Sequence, residues 1–73
     1  MRHQVHYGIQ SVPRQSSFYI YTNEFGAWVP FEEFGSYKDA KREMLNMAHP
    51  LKLILQGTHK TRMGTFRSWK LTA

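Results

Sequence analysis

Apolar and polar residues separate along this chain with two different periods. Between Ser36 and Pro50 the period is helical. Tyr37, Ala40, Met44, Leu45, Met47 and Ala48 recur three or four residues apart, while Lys38, Asp39, Lys41, Arg42, Glu43 and Asn46 fill the other side. Ser36 is the expected N-cap: its hydroxyl can accept from a free backbone N–H, and the Asp39 charge suits the positive helix start. Pro50 ends the helix, because the residue before a proline is pushed out of the α region.

Elsewhere the period is two, or the sequence reads as turn. In residues 4–12, Val5, Tyr7 and Ile9 alternate with polar positions, which predicts a half-buried strand; Gly8 inside it suggests a bulge or an edge. Pro13 and the polar run 14–17 form a loop. Residues 18–22 and 27–31 predict a hairpin around the turn 23–26. Alternation places Phe18 and Ile20 on one face with Val29 and Phe31, and Tyr19 and Tyr21 on the other with Trp28. Pro30 cannot donate to a ladder and suggests an exposed edge. Glu32 and Glu33 lead through Phe34, expected under the helix start, to the cap. After Pro50, Leu51, Leu53 and Leu55 alternate with Lys52, Ile54 and Gln56; a glycine-bounded connection over 57–64 leads to a last strand over 65–71. The order β-β-β-α-β-β predicts an α+β fold, a small antiparallel β-sheet with one α-helix packed on it. Strand order is left open.

Length confines this to one domain over residues 1–73, with residues 1–3 expected to be loose. There is no cysteine, so packing alone must hold the fold, and an aromatic content of 15% supplies the large rings for it. No apolar run approaches the roughly 20 residues of a membrane span, and the N-terminal stretch lacks the apolar core of a signal peptide. The expectation is an intracellular protein that is not processed.

Charge is uneven. Up to Ser36, Arg2 and Arg14 face Glu24, Glu32 and Glu33; beyond it, eight lysines and arginines face only Asp39 and Glu43. With a pI near 9.9, a basic half of this kind suits an acidic partner, either nucleic acid or an acidic or nucleic-acid-bound protein surface. The plainer explanation is solubility.

Catalytic constellations are weak. Ser16, Ser17 and Ser36 fall in turn or cap contexts, and the four histidines lack the helical spacing of a metal pair. His3 and His6 suggest at most a weak chelate, and Glu32 with Glu33 a solvated charge run. No glycine-rich phosphate loop opens a helix. The chain therefore reads as a non-enzyme with no cofactor and no metal. The strongest functional stretch runs from His59 to Lys70, where Lys60, Arg62, Arg67 and Lys70 share a hairpin with Phe66 and Trp69. Arg67 and Trp69 share one face. If Phe66 is core, they point outward as a contact patch; if Trp69 is core, the patch shrinks to the loop charges. Arg2 completes the candidate partner-binding set. Tyr19, Tyr21 and Trp28 form a second candidate surface of the kind that marks a protein partner, unless the N-terminal strand folds over and covers it.

From MRHQVHYG through FYIYTNEFGAWVPFEEFGSYKDAKREMLNM to TFRSWKLTA, the chain resembles the small RNA-polymerase-binding transcription regulators of lytic Xanthomonas phages. Length, charge and the general run of residues carry the likeness, and no motif transfers binding residues position by position. The resemblance implies a regulator in the cytoplasm of the bacterial host. It would bind the N-terminal region of the polymerase β′ subunit near the RNA exit path, inhibit initiation and promote antitermination. Nascent RNA is a further expected contact, and a monomer the expected state. The alternatives are a stand-alone basic RNA- or DNA-binding domain and an anti-defence inhibitor of a nuclease or CRISPR complex.

Overall fold

The computed structural model describes residues 6–23 and 26–72, so the expectations for Arg2, for loose residues 1–3, and for Val5 and His3 lie outside the described residues. The elements are β1 (His6–Val12), a 3-10 turn (Pro13–Gln15), β2 (Ser17–Asn23), β3 (Trp28–Phe34), α1 (Tyr37–Ala48), β4 (Lys52–Lys60) and β5 (Thr65–Thr72). This is the α+β architecture expected from the sequence, in the expected order.

All neighbouring strands are antiparallel, in the order β3-β2-β1-β5-β4. The first strand thus lies in the middle. Short connections make β1-β2-β3 a meander and β4-β5 a hairpin, and α1 carries the chain from one edge of the sheet to the other. The expectation that Gly8 marks an edge or bulge is overturned. It pairs regularly with both Tyr21 and Ser68.

The helix begins as its sequence requires. Ser36 is extended, and its hydroxyl accepts from the Asp39 N–H at 3.1 Å. Ala40, Met44 and Ala48 face the sheet and meet Tyr7, Ile9, Ile20 and Trp69, with Ile9 paired to Ile20 and Tyr7 to Trp69. The two alanines allow close approach, and Met44 fills the space between them. Ile9, Ile20 and Met44 are fully buried, each worth about 1.5–3 kcal/mol in transfer terms. Phe34 packs against this core, as expected, along with Phe18, Tyr37, Met47, Leu53 and Leu71.

Several apolar side chains expected inside are outside. Leu45, Leu51, Leu55, Val29 and Phe31 are exposed, Phe31 to 57%. One twelve-residue helix covers the middle of the sheet and leaves the outer parts of its edge strands bare. In β3 the pairing also shifts between Ile20 and Tyr21, so Glu32 stands opposite Ile20 and Pro30 opposite Tyr21, leaving Phe31 at the irregularity. Glu32 and Glu33 belong to this strand rather than to a loop. β4 runs on through Gly57, with a register shift between Leu55 and Gly57, so the hairpin connection shrinks to residues 61–64.

Candidate functional site

The basic hairpin is braced by polar groups of the central strand. Gln10 Nε2 donates to Thr61 Oγ1 at 2.8 Å, and Thr65 N donates to Ser11 Oγ at 2.9 Å. Across the turn, Thr61 N donates to Gly64 O at 2.8 Å, while Gly64 N donates to Thr61 Oγ1 at 3.1 Å. Gly64 itself lies on β1, and a Cβ there would collide with the Ser11 carbonyl. The tip carrying exposed Lys60 and Arg62 is therefore held in place rather than trailing.

The sequence-derived contact residues do not form one patch. Lys60 and Arg62 sit at the tip; Arg67 and Lys70 are half-buried on opposite faces of β5. Trp69 is 5% exposed in the core and leaves the contact set. Arg67 and Trp69 do share a face, but it is the face that α1 covers, since Trp69 pairs with Tyr7 and both belong to the core with Ala40, Met44 and Ala48. Phe66 takes the helix-free side.

On the helix side the cations gather round rings. Lys41 Nζ stands 5.3 Å from the Trp69 ring centre and 5.8 Å from that of Tyr37, and the Arg67 guanidinium lies 5.4 Å from Tyr37. The ring faces accept positive charge that no carboxylate among the described residues pairs with. Tyr37 is held in turn by an edge-on contact with Phe18 at 6.1 Å. Lys38 and Arg42 line a shallow hollow beside them with Leu45. Among the described residues the one ion pair is Arg42–Asp39 at 3.8 Å, within a helix turn and largely exposed, so it offsets little.

The helix-free face carries the second feature. β1 takes its place within the sheet instead of folding over the rings, so the covering strand expected for Tyr19, Tyr21 and Trp28 is not there. Phe66 reaches across β1 above Gly8 and meets Tyr21 edge-on at 5.8 Å and Trp28 edge-on at 5.0 Å. These rings, with Gln10, His59 and Ser68, line a hollow of about 350 Å³. Tyr21 and Trp28 belong to the second candidate surface read from the sequence; what sequence reasoning missed is that Phe66 joins them. The signal for that was Gly8, a gap in an otherwise alternating strand, and the ring that fills the gap comes from the far end of the chain.

No group of three or more His, Cys, Asp or Glu side chains converges among the described residues, and no described helix is long and apolar enough to cross a membrane. Three serines have structural partners: Ser11 with Thr65, Ser17 with Glu33 at 2.5 Å, and Ser36 at the helix cap. The class defined by fold and site is a one-helix α+β domain, with cations on its helix side and hairpin tip and rings on its open face. Compared with protein-family models, curated proteins and solved structures, the chain matches none.

Proposed function

We propose that this chain is a stoichiometric binding protein for an acidic macromolecular surface. Its particular target, on the resemblance to the phage regulators, is the host bacterial RNA polymerase, at the N-terminal region of β′ near the RNA exit path. Bound there, it inhibits initiation at host promoters and favours read-through of terminators. No turnover is involved: the protein shifts the polymerase by binding one of its conformations more tightly than another.

The observation that carries this reading is the state of the cations. Lys38, Lys41, Lys60, Arg62 and Arg67 have no carboxylate partner within the described chain, where the one ion pair is Arg42–Asp39. The braced tip presents Lys60 and Arg62 to solvent, and the helix side holds Lys41 and Arg67 against rings. A surface so arranged favours and steers approach to negative charge.

The test is affinity capture from Xanthomonas lysate, with the wild-type chain and the double variant Lys60→Ala/Arg62→Ala as baits. Recovery of polymerase subunits by the wild type, and weaker recovery by the variant, supports the proposal. Failure to recover them at low salt refutes it. Transcription with purified host polymerase then reads initiation and terminator read-through separately.

A further inference from the structure

We propose that the helix-free face of the sheet binds single-stranded nucleic acid, with unstacked bases against its rings and phosphates at the arginines of one end. This goes beyond the polymerase reading and shares only Arg62 with it. Three hollows run together across the face. The first holds Phe66, Trp28 and Tyr21. Tyr21 also lines a second, of about 240 Å³, with Tyr19, Pro30 and Met63. Met63 and Val12 continue into a third, of about 460 Å³, which ends at Arg14 and Arg62. The result is one groove, lined with rings over much of its length and cationic at one end.

Three observations select the occupant. Neither Arg14 nor Arg62 is ion-paired among the described residues, so the end of the groove is free to meet phosphate. Gln10 is only 4% exposed and lines the ring end, and its three side-chain hydrogen bonds all run through Nε2, to Ser11 O, Thr61 Oγ1 and Thr65 O. Its Oε1 is thus an acceptor without a described donor, on a residue that lines the hollow together with His59 and Ser68, and is suited to the exocyclic amine of a base. Sequence-tolerant stacking on aromatic side chains with a basic track alongside is how single strands are held on open sheets. A duplex hides its base faces, and an acidic peptide would meet the arginines without needing the rings.

The experiment is anisotropy titration of the full chain with fluorescein-labelled dT15 and rU15 across a salt series. A 15-bp duplex and a 15-residue poly-glutamate peptide serve as competitors. Single strands are expected to bind more tightly than either competitor. Trp28→Ala and Phe66→Leu are each expected to weaken binding, by roughly 5- to 150-fold per stacked base lost. Arg14→Ala/Arg62→Ala, remote from the core, is expected to flatten the slope of log K against log salt by about 1.4. Absence of single-strand binding at low salt overturns the proposal, as does tighter binding of duplex or poly-glutamate. An unchanged affinity in the Trp28 variant together with an unchanged salt slope in the arginine variant also overturns it. Because these titrations contain no polymerase, their outcome is independent of the capture experiment.

Discussion

The ring of Phe66 lies across the central strand at Gly8, where a Cβ would collide with its Cζ atom. That absence of a side chain lets β5 reach the rings of β2 and β3. Alanine at position 8 is expected to destabilise the fold by about 1–3 kcal/mol, since the ring must move off its seat. In a Phe66→Ala background the same change should be neutral or stabilising, because glycine in a strand costs about 0.5–1 kcal/mol relative to alanine. Urea unfolding of the four proteins in this cycle measures the coupling. Additive effects would show that the two residues do not depend on each other.

The helix start offers a cleaner measurement. Ser36→Ala removes the acceptor for the Asp39 N–H and should cost about 1 kcal/mol, while Ser36→Asp should retain most of the stability. Equal losses in both variants would count against the cap.

The two tryptophans report on opposite sides of the sheet. Trp69 is 5% exposed and Trp28 38%. A Trp28→Phe protein should emit at short wavelength and resist iodide quenching; Trp69→Phe should emit further to the red and quench readily. Trp69→Ala is expected to cost about 3–5 kcal/mol and Trp28→Ala clearly less. If the quenching order is reversed, the faces have been assigned the wrong way round.

At the hairpin tip, charge and position separate. Lys60→Ala/Arg62→Ala should change stability by no more than about 0.5 kcal/mol, because both side chains are exposed. Gly64→Ala places a methyl group against the Ser11 carbonyl and should lower the melting temperature. Polymerase capture should fall with both. A capture defect in the glycine variant alone would assign the contact to the backbone of the tip rather than to its charges.

The helix, its cap and the order of elements were legible because each depends on neighbours in sequence: Ser36 with Asp39, and the row Ala40, Met44, Ala48. The strand order was not legible, since the pairing of β1 with β5 joins residues with no local relation. Without it, Gly8 looked like a weak spot and Trp69 was equally suited to core or surface. The outward position of Phe31 depends on a register shift that no alternation rule reveals, and that of Val29 on how far one helix reaches over an edge strand. The charges of the hairpin were visible from composition. Their division between two faces and a braced tip needed the partners of Gln10, Ser11 and Tyr37.

The middle position of the first strand has a kinetic consequence. β1 is synthesised early and can pair with β2 at once, but its other side stays bare until Thr65–Thr72 has emerged. Contacts between distant segments form slowly, because loop-closure entropy is lost before they contribute. Assembly thus waits on its C-terminal strand, and shortening that strand would leave the meander and the helix with no seam to close.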